Sequence, residues 1–467
     1  MNKAKHNLLA VTIATLIPTL AIAEEQQDTS THSILNKNAQ AESAGFVEDS
    51  NLNVLIRNVY FKRDFRNSSN SNMTQDGKER QSYREEWAQG FMATYESGFT
   101  QGTIGFGVDA FGMYGFKLDT GRGRNGAGLL PIDSHGRAED NYSKGSGAVK
   151  MRISNTVLKY GEQMVDTPVF SVDDARLFPE TAEGFLLTSN EIKNLTINAG
   201  HFTSLRAMNQ SYRDSRSNDW GLYNDRGTGL KRADFIGGTY QFTDNLSASL
   251  YYSDVQDFWK KKYVGVDYAI PIDDKQAVDL SFNYYNTKSQ GPVKHLSRQV
   301  YNGDKINSNV WSLQASYTYD AHKFTLAHQR VTGDGPGNPY GVDGGGAIYL
   351  ANSVQYSDFN NENERSWQAR YDLDMSKYGV PGLSFMTRYL RGTNISEYLR
   401  DSNKSGGKVT ETEHDIEAKY VVQTGPAKDL SVRVRYAIYR SSGFSDDINE
   451  LRVITEYPWD LMGMFKK

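Results

Sequence analysis

The stretch LSVRVRYAIYR, residues 430–440, decides the fold class of this chain. Read with a period of two, its apolar side chains all fall on one face: Leu430, Val432, Val434, Tyr436 and Ile438. The opposite face carries Arg433 and Arg435. A soluble sheet would bury the apolar face in a core, whereas a transmembrane barrel would present it to lipid and keep the arginines in water. The rest of the chain has to decide between the two.

The composition excludes several other classes of protein. A net charge of −4 offers no bulk basic balance for nucleic acid, and the absence of cysteine excludes disulfides and thiolate metal sites. Aromatic residues are abundant, with 29 Tyr, 21 Phe and 6 Trp, while the chain has 42 Gly and only 11 Pro. The mean hydropathy of −0.62 resembles that of a soluble protein. A barrel has a similar average because every second residue faces water.

The N-terminus has the parts of a secretory signal peptide. Lys3 and Lys5 form a basic region, residues 8–20 are apolar, and Ala21-Ile22-Ala23 is a small-x-small cleavage site. The alternative is a first transmembrane helix, but the apolar run is shorter than the roughly 20 residues that a span needs. We therefore predict a signal peptide at 1–23 and a polar periplasmic lead-in at 24–50.

From residue 51 onward, alternating segments and polar links repeat until eighteen strands are counted. Residues 148–155, for example, are the predicted fourth strand, residues 246–255 the ninth and residues 383–390 the fifteenth. Short and long links broadly alternate, which is typical of a bacterial barrel with short periplasmic turns and long external loops. We predict an all-β, antiparallel transmembrane barrel at 51–458 with a C-terminal tail at 459–467. A soluble β-solenoid or two-domain sandwich is the alternative, although no repeat of fixed period supports a solenoid.

If the apolar side chains face lipid, basic side chains recur on the inner face of the strands near the seam. The predicted inward cations are Arg57, Arg370, Arg388, Lys419, Arg433, Arg435 and Arg452, with Lys150 and Arg152 as a second basic spot. Such a row would attract and steer anions, and guanidinium groups bind carboxylates through two hydrogen bonds. The alternative is that the cations pair with lumen acids such as Asp415 and Glu417 and only stiffen the wall.

Two long links have compositions that suit a fold inside the barrel. The link at 164–183 contains Pro168, Phe170, Asp173, Asp174, Arg176, Leu177, Phe178 and Pro179. It is too apolar for a loop in water, so we predict a constriction in the lumen; a loop packed over the barrel mouth is the alternative. The glycine-rich link at 333–363 carries Tyr340, Asp343 and Ser353, and its apolar residues 348–351 also suit an inward fold.

Several longer motifs span nearly the whole chain after the signal peptide. They are GFVEDS (45–50), YESGFTQG (95–102), GFGVDAFG (105–112), RLFP (176–179), ADFIGG (233–238), LANSVQYSDF (350–359), SWQARYD (366–372), YGVPGL (378–383) and EAKYVV (417–422). These segments resemble the OprD family of outer-membrane porins, the carboxylate channels of Gram-negative bacteria.

The resemblance implies an eighteen-stranded barrel with a narrow pore, pinched by the third and seventh external loops and approached by a ladder of basic residues. The ladder falls on Lys419, Arg433 and Arg435, with Arg370, Arg388 and Arg152 nearby. Asp343 and Ser353 fall in the matching run of the seventh loop and imply an acidic side of the eyelet. Substrates in the family are small carboxylates, including amino acids, and carbapenem antibiotics can pass. One departure is the C-terminus, where Lys466 and Lys467 follow the last aromatic residue.

Other classes of function lack a motif in this sequence. An outer-membrane enzyme would need a catalytic constellation, but there is no G-x-S-x-G or H-E-x-x-H and the eight His are scattered. An adhesin or structural barrel would have a plugged lumen. We expect a porin of the bacterial outer membrane without catalysis, cofactor or metal. Its expected partners are small carboxylate solutes, the lipid and lipopolysaccharide of that membrane, and the barrel-assembly machinery, but no nucleic acid. The sequence leaves open a monomer or a homotrimer.

Overall fold

Eighteen antiparallel strands form one closed sheet, in which each strand is hydrogen-bonded to its neighbours in the chain. A computed structural model describes residues 34–66, 72–73, 80–119, 124–213, 229–291, 305–396, 408–442 and 445–461. The barrel strands are β1 (Asn51–Phe65), β2 (Tyr83–Glu96), β3 (Ile104–Lys117), β4 (Asn141–Ile153), β5 (Thr156–Gln163), β6 (Thr181–Ser189), β7 (Leu195–Arg206), β8 (Ala233–Thr243), β9 (Leu246–Val255), β10 (Trp259–Asp273), β11 (Gln276–Ser289), β12 (Asn307–Tyr319), β13 (His322–Asp334), β14 (Arg365–Asp374), β15 (Leu383–Ser396), β16 (Lys408–Val421), β17 (Ser431–Ser441) and β18 (Ile448–Asp460).

The barrel closes where β1 pairs with β18. In that register Arg57 lies opposite Glu456, and Phe61 lies opposite Arg452. Closure leaves the main sheet without an unpaired edge. The predicted fold class and strand number are confirmed. The ninth strand has its predicted bounds, but β4 begins earlier and β15 ends later than predicted, because their outer ends are rich in Gly, Ser and Thr and lack a clear apolar alternation.

The links alternate in length as predicted, with two exceptions. Links after even-numbered strands are short turns, of which the β14–β15 link contains a 3₁₀ helix, Met375–Tyr378, capped by Asp374. Most links after odd-numbered strands are long, but only residues 256–258 join β9 to β10, and only residues 442–447 join β17 to β18. Two short strand pairs in the described ranges are separate from the barrel sheet. They are Asn72–Met73 with Arg80–Gln81 and Asp166–Thr167 with Phe170–Ser171. No helix in the described part of the chain is long and apolar enough to cross a membrane.

The two faces of the wall differ as the period-two pattern predicts. On β14 the Trp367 side chain is 61% exposed on the outside, whereas its neighbours Ser366 and Gln368 are buried on the inside. On β17 Val432 and Val434 are exposed outward and alternate with the inward Arg433 and Arg435. The outer face is therefore an apolar surface suited to lipid, and charged groups are concentrated in the lumen.

The N-terminal residues 34–50 lie against the short-turn end of the barrel. Asn36 donates its side-chain amide to the Asn190 carbonyl (2.6 Å), and Gln40 donates to the carbonyls of Thr100 and Gly102 (2.9 and 3.1 Å). Amide side chains in this segment thus satisfy backbone groups of the turns. The described part of the predicted lead-in, residues 34–50, is docked on the barrel and does not extend away from it.

Two long loops run back into the lumen, and we refer to them as L3 (residues 164–180) and L7 (residues 335–364). L3 has apolar groups at both ends. Phe170 stacks on Phe202 of β7 with ring centroids 4.6 Å apart, and Phe178 packs against Tyr142 of β4 at 5.0 Å. Gly90 on β2 makes room for this second contact, because a Cβ there would lie 2.7 Å from Phe178.

Replacing Gly90 with valine should detach L3 while leaving the barrel closed. Overpacking costs about 1–3 kcal/mol, so the population of opened loop should rise by about tenfold or more. Trypsin cleavage after Arg176, followed by mass spectrometry on barrels with native heat-modifiable gel mobility, measures that opening. Gly112→Val is the matched control, because a Cβ at Gly112 on the outer face meets nothing within 4 Å. Equal cleavage rates in the two variants would disprove the packing role of Gly90.

Candidate functional site

L3 and L7 meet each other inside the barrel. The Ser171 amide donates to the Asp343 carbonyl (3.1 Å), and the Gly346 amide donates back to the Ser171 carbonyl (3.0 Å). Gly344 has a φ of +91°, and any Cβ there would collide with the Ser171 carbonyl oxygen. The Gly345 amide also donates to Glu180 at the end of L3 (2.7 Å). The two loops therefore act as one unit that narrows the lumen.

Asp343 lies at the base of this unit and not on the pore surface. Its carboxylate is completely buried, where it accepts a hydrogen bond from Trp259 Nε1 (2.8 Å) and forms an ion pair with Lys261 Nζ (2.7 Å). The resemblance placed Asp343 on the acidic side of the eyelet. The structure corrects that placement, because the buried Lys261 ammonium on β10 needs a counter-charge and Asp343 provides it.

Tyr340 and Ser353 converge on a third residue of L7. The Tyr340 hydroxyl donates to one oxygen of Asp358 (2.5 Å), and the Ser353 hydroxyl donates to the other (2.6 Å). Burial raises the pKa of the Asp358 carboxyl above its usual range, because the two hydrogen bonds lower the pKa by less than desolvation raises it. Both donors are among the residues predicted from the sequence, but the acceptor is not, although Asp358 lies within the LANSVQYSDF motif.

The tip of L3 carries the three charged residues predicted for a constriction. Asp174 and Ala175 are exposed, and Asp173 accepts the Ala175 amide hydrogen bond (2.9 Å), which shapes the turn. Arg176 donates from Nε to the Ala127 carbonyl in the β3–β4 loop (3.0 Å). All three side chains thus lie at the inner end of the loop.

Arg57 binds this tip to the barrel wall. Its guanidinium donates to both carboxylate oxygens of Asp174 (2.6 and 2.9 Å) and to Glu456 on β18 (2.7 Å). It also donates to the carbonyls of Arg176 (3.2 Å) and Leu177 (3.4 Å). The side chain is only 6% exposed. Such a group positions L3 and offers little free charge to a solute.

Three other predicted ladder residues have close polar partners. Arg370 forms two hydrogen bonds with Asp372 on the same strand (2.7 and 2.6 Å), and Arg388 pairs with Asp415 (2.6 Å). Arg152 stacks on the Phe99 ring at 4.2 Å and donates to Gln40 (2.8 Å) near the short-turn end. The alternative of wall-stiffening pairs therefore describes Arg370 and Arg388 well.

Of the other three ladder residues, Arg433 and Arg435 share a single carboxylate. Glu417 lies 3.1 Å from Arg435 and 3.6 Å from Arg433, whose side chains are 21% and 30% exposed. Lys419 lies directly opposite Arg433 in the β16–β17 register. The Lys419 side chain forms no hydrogen bond or ion pair with any of the described residues. Lys419, Arg433 and Arg435 thus present more positive charge than their surroundings neutralise.

Further cations continue this basic surface toward L3. The guanidinium groups of Arg63, Arg176 and Arg452 all lie 4.9–5.5 Å from the centre of the buried Phe61 ring. Glu450 pairs with both Arg63 and Arg452. Arg63 is not among the cations predicted from the sequence, although its position two residues after Phe61 places it on the same inward face. The surface is basic, and no group of three or more His, Asp or Glu in the described ranges could hold a metal ion.

Comparisons with known proteins agree with this architecture. Residues 44–461 match the model of the family described as outer membrane porin, OprD family. Porin D of Pseudomonas aeruginosa is 47% identical over 440 residues, which cover 91% of this chain and 94% of that protein. The structure of Acinetobacter baumannii OccAB1 aligns with a TM-score of 0.80 at 33% identity and covers 91% of this chain and 100% of that one. Pseudomonas aeruginosa OpdK with vanillate aligns with a TM-score of 0.76 at 31% identity, covering 89% and 100%.

The position of L7 should depend on Lys261 and Asp343 being present or absent together. Asp343→Leu leaves a buried ammonium without a counter-charge, which costs about 3–5 kcal/mol, whereas Lys261→Met/Asp343→Leu removes both charges and should restore stability. Hydrogen exchange of the L7 amides is the measurement. Exchange should be faster than wild type in the single variant and close to wild type in the double variant. Equal exchange in the two variants would show that the pair does not hold L7.

Arg57→Gln should free the tip of L3, because a buried ion pair loses one partner. We expect neutral sugars of larger size to enter liposomes that contain this variant, with little change in the reversal potential across a salt gradient. Arg433→Gln is the comparison variant and should have the opposite effect, a shifted reversal potential at an unchanged size limit. A shifted reversal potential without a larger size limit in Arg57→Gln would make Arg57 a ladder residue.

Proposed function

This chain belongs to the OprD family of outer-membrane porins, and on that premise we propose that it admits small carboxylate-bearing solutes selectively. The solutes would diffuse passively along the basic surface and through the constriction made by L3 and L7. Amino acids and organic acids are the proposed substrates, and carbapenem antibiotics are proposed to follow the same path.

One observation carries this proposal: among the described residues, Glu417 is the one carboxylate within ion-pair distance of any of the lumen cations Lys419, Arg433 and Arg435. The Lys419 and Arg433 side chains are cross-strand neighbours. Like charges in that position repel each other, and a passing anion would relieve the repulsion. Water-filled surroundings with a low-dielectric wall also raise the local concentration of anions.

The geometry of the charged groups suits a carboxylate. A guanidinium group donates two parallel hydrogen bonds to the two oxygens of a carboxylate, and the side chains of Arg433 and Arg435 are partly exposed for that contact. The relative OpdK was crystallised with vanillate, which is itself a carboxylate. Beyond the ladder, the partly exposed Arg63 and Arg176 would receive the anion at the constriction.

The test is single-channel recording in planar bilayers with Arg433→Glu/Arg435→Glu. Reversing two charges on the path should move the reversal potential toward cation selectivity and reduce the flux of a small carboxylate by about tenfold or more. Flux of the matching neutral amide should change much less, because it gains nothing from the arginines.

The matched control is Lys159→Glu/Lys323→Glu, which makes the same charge change at two cations that already pair with Asp109 and Asp279. Equal effects in the two double variants would reduce the ladder to a general charge effect. Conductance that is unchanged in Arg433→Glu/Arg435→Glu would leave a porin whose arginines are scaffolding. A folded wild-type barrel without any conductance would favour a structural barrel or an enzyme.

A further inference from the structure

Three arginines form a cluster on the outer face of three consecutive strands. Arg330 lies on β13, Arg365 is the first residue of β14, and Arg391 lies on β15. Arg330 and Arg365 are directly opposite each other in the register, and Arg391 lies opposite Trp367, two residues along β14. The cluster is at the long-loop end of the barrel, because β14 begins where L7 ends.

Among the described residues, the cluster has no acidic residue as an immediate neighbour on the outer face. Besides one another and Trp367, these arginines face Trp311, Thr393 and Thr412 across the strand pairs. In the part of the chain that the structure describes, none of the three guanidinium groups has an ion pair or a side-chain hydrogen bond. Arg440, which also points outward near this end, instead donates to the Ile448 carbonyl (2.7 Å) and to Asn449 (2.9 Å).

An aromatic and apolar surface lies directly below the cluster. The His328 ring stacks on Trp367 with centroids 4.2 Å apart and meets Trp311 edge-on at 5.3 Å. Farther from the rim, Leu326 is 63% exposed and Phe324 is 52% exposed on the same face. Aromatic residues above an apolar band mark the boundary between the hydrocarbon and the headgroups. The arginines therefore lie at the level of the headgroups.

We propose that Arg330, Arg365 and Arg391 bind the phosphorylated headgroup of a lipid in the leaflet at the long-loop end, with its acyl chains along the apolar face below. Arginine donates two parallel hydrogen bonds to phosphate oxygens, and cross-strand like charges favour a bound anion. The proposed site lies outside the lumen, so it depends on the barrel being in the outer membrane and not on the choice of solute.

The experiment measures lipid binding to the purified full chain in detergent by native mass spectrometry. The probes are diphosphoryl lipid A, the same lipid after enzymatic removal of its phosphates, and inorganic phosphate. In Arg330→Gln/Arg365→Gln/Arg391→Gln we expect affinity for diphosphoryl lipid A to fall on the order of a hundredfold. The dephosphorylated lipid should bind weakly to the wild type and the variant alike.

The matched control is Lys260→Gln/Lys262→Gln/Lys288→Gln, which removes three cations from the outer face of β10 and β11 at the same end. The control should retain wild-type affinity within about threefold, and the Arg→Lys triple variant should bind with intermediate affinity because it keeps charge but loses the paired donors. An equal loss of lipid A affinity in the two triple glutamine variants would show that the lipid is attracted by surface charge in general and not bound at a defined site. Unchanged affinity in the arginine triple, or inorganic phosphate bound as tightly as the lipid, would also overturn the proposal.

Discussion

A backbone in lipid has no water with which to form hydrogen bonds, so every amide and carbonyl has to find its partner within the protein. In this chain the constraint is met by a sheet that closes between β1 and β18. Closure also determines where every side chain points, because residues that alternate along a strand must face lipid or lumen in turn. The aqueous interior, the constriction and the outer arginine cluster all depend on that alternation.

The constriction is a second folded structure built inside the first. L3 and L7 bring their own apolar residues, and these pack on inward aromatic residues of the wall such as Phe202 and Tyr142. Polar ties complete the attachment. Glu413 on β16 accepts the backbone amides of Tyr356 and Ser357 (2.8 and 2.9 Å), which would otherwise lack partners. The lumen therefore contains a packed region, where L3 and L7 cover the wall, and an aqueous region where they do not. The position of the loops determines which inward wall residues lie in each region.

The inward cations fall into two groups because the lumen acids are distributed unevenly. Arg57, Arg370 and Arg388 have one or more carboxylates within hydrogen-bond distance, and Lys261 is enclosed with Asp343. Glu417 and Glu450 each pair with two arginines. Paired cations stabilise the wall and the loops. In the proposed function, the partly exposed cations interact with solutes. The alternation that places cations in the lumen thus provides both the structural ion pairs and the proposed surface for solutes.

The sequence by itself determined the class of protein, the number of strands and the direction of most side chains, because period-two alternation is a local property that lipid and water enforce strand by strand. It also indicated that residues 164–183 enter the lumen, since so apolar a loop has to be covered. Only the tertiary structure decided the partner of each charge. Arg57 meets Asp174 across 117 positions of sequence, and Trp259 meets Asp343 across 84. Such contacts depend on how two loops cross inside a closed barrel, and no local periodicity records that crossing.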